Sequence, residues 1–286
     1  MPLSDYRSAL APHGVLRVAI NLGNAVLAQG EAHAPRGPSV ALAIELARRL
    51  GVAVQLHCHD AAASVVAAAA QDAWDLAFLA VDPARADRIA FSAPYMEIEG
   101  TYLVRADSPA RCVADLDREG LRIAVGRGAA YDLYLSRELK HARIERADTS
   151  AAAIALFDQQ VLDAAAGVRQ PLQAWADAHA GHRVLPDRFT AIQQAVAVPV
   201  QRDARAVQAL FAEVEALKAS DFLREAFARA GRRSPWCPPP RSRRWRPAGP
   251  SGHRNRAPAQ RAHGEHVAGL LEEAAHVQLR RARRRQ

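Results

Sequence analysis

Few residues of this chain are placed to do chemistry, and the clearest is a single arginine. In "FLAVDPARADRIAFSAPY" (78–95) an apolar run ends in Asp-Pro-x-Arg, and an apolar segment closed by Ser-x-Pro-Tyr follows. Arg85 thus falls just past what reads as a buried strand. A guanidinium there offers a planar fork of donors that fits a carboxylate, whereas a solvated surface charge is the plainer reading. "HCHD" (57–60) puts His57 and His59 on one face of a strand and Cys58 on the other. Zinc needs further ligands at suitable spacing, and none is apparent, so no metal is expected. "GRGAAY" (126–131) has a strand-loop-helix context but lacks the third glycine and the lysine of a phosphate loop. There is no GxSxG, and no spacing builds a triad around Ser92. Glu97 and Glu99 share a strand face, as an acid/base pair or as a solvated edge. No cofactor motif emerges.

The elements that must position these residues alternate. "VLRVAI" (15–20) reads as a strand, and "SVALAIELARRLGV" as a helix with Val40, Ile44, Ala47 and Leu50 on one face and Ser39 as its cap. "VAVQLHC" (52–58) is a strand, 61–71 an Ala-rich helix and "WDLAFLAV" (74–81) a buried strand. A second round begins near 121, with strands "LRIAVG", "ARIERA" and "LDAAAGV" alternating with helices "AAYDLYLSRELK" and "SAAAIALFDQQ". "QAVAVP" (194–199) adds a strand, and 204–231 supplies one or two closing helices. This order implies two α/β units, each a mostly parallel sheet flanked by helices. Ligands of such sheets sit at the carboxyl ends of the strands, which is where Arg85 falls.

The chain has 286 residues and a formal charge of +8, but the charge is uneven. Fourteen arginines and three glutamates lie from Arg232 onward, which leaves residues 1–231 with 24 basic and 27 acidic side chains. The body therefore has no basic character that would suit nucleic acid. The Arg/Pro-rich tail, 232–286, has almost no aliphatic residues over its first part and is expected to be disordered. It is either a basic arm for an anionic surface or an appended segment without a role. Three cysteines without CxxC spacing (Cys58, Cys112, Cys237) give no disulfide framework. The N-terminus lacks the basic start and apolar core of a secretory signal, which reads as cytoplasmic for the chain as written.

"LRVAI", "PSVALAIELARRLGV" and "WDLAFLAVDPARADRIAFSAPYMEIEGTYLV" together resemble the first lobe of the family 3 extracellular solute-binding proteins. These are the amino-acid-binding components of ABC importers, with the two-lobed type 2 periplasmic-binding-protein fold. "DPAR" and "FSAPY" occupy the places of the family's arginine motif and the segment after it. The likeness extends through "DLDREGLRIAVGRGAAYDLYL" and "EVEALKASDFLREAFARAG", over roughly 14–231. It implies one lobe at 14–104 plus 195–231, a second at 105–194, and a hinge through "LVRADS" and "TAIQQ". It implies that Arg85 grips a ligand carboxylate, with Asp82 beside it on the same wall and Asn21 and Asn24 on the floor. Gly128, Ala130, Tyr131, Arg169 and Gln170 form the opposite wall.

The departures shape the expected ligand. Asn21 and Asn24 stand where the family has an acid and an aromatic, Ala61 replaces a bulky residue, and Ala129 and Ala130 replace a hydroxyl pair. Backbone N–H groups at the start of a helix can still hold an anion there. Near the place of the family's ammonium-binding Asp stand Arg169 and Gln170, which points to a ligand with a second acidic group. The expected function is binding of a small anionic solute, an amino acid or related carboxylate, by a monomer that serves an ABC permease. The rivals are a sensor without a transporter, and a dehydratase or lyase that draws its acid or base from Glu97, Asp82 or Asp132.

Overall fold

A computed structural model of the chain describes residues 2–230. The expected basic tail and Cys237 lie outside the described residues. Ten strands join into one continuous curled sheet: β1 (Val15–Asn21), β2 (Ala53–His59), β3 (Leu76–Ala80), β4 (Ile89–Phe91), β5 (Met96–Arg105), β6 (Arg122–Gly126), β7 (Arg143–Ala147), β8 (Ala164–Val168), β9 (His182–Val184) and β10 (Thr190–Pro199). Their order is β2-β1-β3-β10-β5-β8-β6-β7, with β4 attached to β10 and β9 to β5. The helices are α1 (Arg7–Leu10), α2 (Pro38–Leu50), α3 (Ala62–Ala69), α4 (Ala130–Glu138), α5 (Ser150–Gln159), α6 (Arg169–Ala178), α7 (Ala204–Ala219) and α8 (Phe222–Arg229). Among the described residues no helix is long and apolar enough to cross a membrane.

The order is two similar halves joined back to back. In one half β1 pairs in parallel with β2 and β3; in the other β6 pairs in parallel with β7 and β8. Each parallel triplet is closed by an antiparallel strand that belongs to both halves. β10 pairs with β3 through Gln194–Ala197 and with β5 through Thr190–Gln194. β5 pairs with β10 as far as Gly100 and with β8 from Gly100 to Leu103. The crossing therefore lies at Met96–Gly100 and Thr190–Gln194, so "TAIQQ" falls on it and "LVRADS" falls beyond it. Strand β10 begins four residues earlier than "QAVAVP" suggests, because those four residues form a ladder with β5.

Burial follows the period of each element. All five residues of β3 are buried, as befits a central parallel strand with helices on both faces. Helix α2 starts at Pro38, a residue suited to a first helical turn, with Gly37 as its cap. Ser39 is therefore inside the helix rather than at its end; it is 2 % exposed and shares a 3.1 Å hydrogen bond with the Tyr95 hydroxyl. The buried stripe runs through Ser39, Ala43, Leu46, Ala47 and Leu50. Ile44 lies off that stripe and is half exposed. Trp74, fully buried, fixes α3 to the sheet by donating its indole N–H to the Val65 carbonyl at 2.9 Å.

The ends of β1 and β3 away from the cleft are tied by a buried charge cluster. The Asp75 side chain is 0 % exposed and accepts from the Arg17 backbone at 3.0 Å, the Arg17 guanidinium at 2.8 and 3.1 Å, and Arg202 at 2.6 Å. These bonds raise the Arg17 pKa above its ordinary value, chiefly through the hydrogen bond to Asp75.

Candidate functional site

At the carboxyl ends of the parallel strands the two halves face each other across a cleft of about 540 Å3, counted out to its open mouth. Asn21 ends β1, Ala80 ends β3, Gly126 ends β6 and Val168 ends β8, and all four line it. Three helices start there as well: α3 at Ala61 and Ala62, α4 at Ala129 and Ala130, and α5 at Thr149 and Ser150. Thr149 caps α5, accepting from the Ala152 N–H at 3.0 Å. Helices α3 and α4 have alanines at the cap position and no side-chain cap. Their first-turn N–H groups are free to meet an anion, with the positive end of each helix dipole behind them.

Arg85 is the cation of this cleft. It closes a short 3-10 turn, Pro83–Arg85, just after β3, and is 4 % exposed. One terminal nitrogen donates to the Ala80 carbonyl at 2.8 Å and the other to the Gly128 carbonyl at 2.9 Å. It forms no ion pair among the described residues; only the longer-range field of Asp82 favours its charge. Burial pushes its pKa down to about 10, so the guanidinium is still charged at neutral pH. A buried charge without a counter-charge is costly.

The two asparagines are committed to donating. Asn21 Oδ1 accepts from Gly23 N–H at 3.0 Å, and Asn24 Oδ1 accepts from Val26 N–H at 3.3 Å. Each amide oxygen is used in a turn, so the NH2 group is what each of these cleft-lining side chains has left to offer. Gln194, 4 % exposed at the crossing of β10, also lines the cleft, and its amide has no hydrogen bond among the described residues. Tyr131 is buried and gives its hydroxyl hydrogen to Ser150 Oγ at 2.8 Å; burial pushes its pKa up. Gly126 is required between them, since a Cβ there would lie 2.8 Å from the Tyr131 hydroxyl and 2.9 Å from the Ser150 nitrogen. Phe78, Ile98, Val168 and Ile192 supply the apolar surface.

Several expected site residues are placed elsewhere. Asp82 is 5 % exposed and faces away: it accepts from Ala84 N–H at 2.9 Å and from Arg137 of α4 at 3.0 and 3.3 Å. Gly128 touches Arg85 only through its carbonyl, and Asp132 holds its N–H at 2.7 Å. It is a glycine because its φ is +67° and a Cβ would lie 2.9 Å from the Cβ of Ala63. Arg169 does not line the cleft. It opens α6 and reaches Glu99 at 2.5 Å and the carbonyls of Leu185, Pro186 and Asp187 at 2.9, 3.1 and 2.9 Å. Gln170 follows it into that helix; its buried Oε1 has no donor among the described residues. The wall position falls to Val168, one residue earlier, because the strand ends there and the helix begins at once.

Other candidates resolve without a site. Glu97 pairs with Arg188 at 3.0 Å, and Asp132 pairs with Arg146 at 3.0 Å. No group of three or more metal-ligating side chains forms among the described residues, so His57 and His59 remain two residues of β2.

The geometry of two half-sheets, crossing strands and a cleft at the strand ends agrees with the comparison by family. Residues 16–232 match the model for "Bacterial extracellular solute-binding proteins, family 3". This chain belongs to that family. Solved structures with the same fold include a mutant of ArgBP from T. maritima (TM-score 0.67, 21 % identity, 81 % of this chain and 99 % of that one). The periplasmic VFT2 domain of BvgS from Bordetella pertussis is similar (0.64, 22 %, 79 % and 97 %). So is an amino acid ABC transporter substrate-binding protein from Streptococcus pneumoniae bound to L-arginine (0.66, 17 %, 80 % and 98 %). No curated protein matches the chain in sequence.

Proposed function

We propose that this family 3 protein binds a small carboxylate-bearing anion between its lobes and serves as the substrate-binding component of an ABC-type importer. The observation that carries the reading is Arg85, a buried guanidinium with no ion-pair partner among the described residues, facing a cleft with two uncapped helix starts. Family membership supports the transport role. The lobes would divide at the crossing strands, with β1–β4 on one side and β6–β9 on the other. Ligand binding would shift an open–closed equilibrium between them. Binding is favoured over catalysis because the buried carboxylates near the cleft, Asp82 and Asp132, are held by Arg137 and Arg146, and the lining carboxylate, Asp148, is 95 % exposed beside Arg127. Asp82, Asp132 and Glu97 do not line the cleft, so none of the three is placed to move a proton in a bound molecule.

A thermal-shift screen of the full chain against monocarboxylates, dicarboxylates and amino acids tests this. A ligand at a hundred times its Kd stabilises the native state by about 2.7 kcal/mol, enough to raise the melting temperature visibly. At least one carboxylate is expected to do so, and the neutral amide of the same compound is not. A response to neutral compounds alone would contradict the proposal.

Two contacts would act as a latch between the lobes. Asp82–Arg137 and Arg85–Gly128 both join the segment after β3 to the start of the second half. Arg137 is 45 % exposed and does not line the cleft. Arg137→Ala is therefore expected to weaken ligand binding roughly 3- to 10-fold, about 1 kcal/mol for a half-exposed pair, by favouring the open form. The radius of gyration of the ligand-free variant, by small-angle scattering, should exceed that of the wild type. Equal radii and equal affinities would show that the pair does not govern closure.

A further inference from the structure

Among the described residues, the buried part of the cleft holds no carboxylate to meet a cation. The cleft's buried charged donor is the guanidinium of Arg85, joined by the amides of Asn21 and Asn24, the hydroxyls of Thr149 and Ser150, the helix starts at Ala62 and Ala130, and the exposed guanidinium of Arg127 at the rim. Among the described residues its one lining carboxylate is Asp148, whose side chain is 95 % exposed and lies 3.8 Å from Arg127 at the rim. The partly buried wall opposite Arg85's half, at the end of β8, is Val168. Gln194 is the only buried side chain of the lining that keeps a free acceptor, and it is neutral. An ammonium group shut into this space would be desolvated without a counter-charge, whereas a hydroxyl or carbonyl could be served by Gln194 alone.

We propose that this cleft takes carboxylates that carry no ammonium group, 2-hydroxy or 2-oxo acids with a short apolar body, and that Val168 excludes the matching α-amino acids. The inference rests on the anion-binding reading above and narrows it. Arg85 and the α4 start hold the carboxylate, Gln194 meets the 2-substituent, and Phe78, Ile98, Val168 and Ile192 cover the hydrocarbon. Val168 acts as a specificity-determining residue, since it ends β8 at the cleft and offers an apolar side chain where an acid would supply a counter-charge.

The test is calorimetric titration of the full chain with two matched sets: L-lactate, pyruvate and L-alanine, then 2-hydroxyisovalerate, 2-oxoisovalerate and L-valine. Within a set the hydroxy or oxo acid is expected to bind at least about 30-fold tighter than the amino acid, as the burial of one unpaired charge implies. Val168→Asp should reverse that order, and Val168→Asn, which adds an acceptor but no charge, should narrow it. Binding of the amino acids as tight as their analogues, lost in Arg85→Met, would overturn the inference and leave the anion reading standing. Failure of all six compounds at millimolar concentration would overturn the inference alone, while binding that survives Arg85→Met would overturn both.

Discussion

Arg85→Met is expected to abolish carboxylate binding while leaving the ligand-free protein as stable as the wild type. Methionine fills the space of the arginine stem without a charge. Losing one partner of a buried, hydrogen-bonded charge contact costs about 2–5 kcal/mol, a loss of affinity of at least about 30-fold. In the empty protein the balance differs. The carbonyls of Ala80 and Gly128 each lose a donor, at about 1 kcal/mol apiece. Removing a buried guanidinium that has no ion-pair partner offsets this, because apolar replacement of buried charge is often neutral or stabilising. Melting curves with and without a binding carboxylate read both effects at once. A variant that is several kcal/mol less stable, yet binds normally, would make Arg85 a structural residue.

Asp75→Asn should have the opposite profile, a large loss of stability without a direct effect on the ligand. The side chain is fully buried and takes charge-assisted bonds from Arg17 and Arg202, which are 15 % and 12 % exposed. Removing its charge strands two largely buried cations, and breaking such a cluster costs about 3–5 kcal/mol. Neighbouring Asp72 also reaches Arg202 at 3.0 Å and Arg17 at 3.4 Å, so the lower end of that range is expected. Asp72 is itself 52 % exposed, and Asp72→Asn should cost less than about 1 kcal/mol. Urea unfolding of the two variants, with affinity measured beside it, checks the contrast. A change below about 1 kcal/mol in Asp75→Asn would show that the cluster adds little.

What the sequence disclosed was mostly local. The apolar runs at 15–20, 74–81 and 121–126 read directly as strands, because central parallel strands are continuously apolar. The motif after β3 marked Arg85 through its position, and family resemblance gave it a task. What stayed hidden depended on partners far along the chain. Asp75 looks like one acid inside an apolar stretch, since its partners lie 58 and 127 residues away. The direction of the Asn21 and Asn24 amides is set by the turns they close, which the residue types alone leave open. Helix α6 was obscured by Pro171, although proline is tolerated in a first turn. Its start at Arg169 moves that side chain out of the cleft and puts Val168 into it. The cationic contact expected there lies outside the cleft, one residue beyond Val168, which is the residue that lines it. Ser39 misled in a similar way, as a hydroxyl near a helix start that serves Tyr95 rather than the helix end.

The central claim is that Arg85 and the start of α4 together receive the anion. A crystal structure of the full chain with a carboxylate that binds it tests this most directly. The account predicts the carboxylate within hydrogen-bonding distance of the Arg85 guanidinium and of the N–H groups opening α4, between closed lobes. A carboxylate held at Arg127 on the rim, with Arg85 still bonded only to the Ala80 and Gly128 carbonyls, would contradict it.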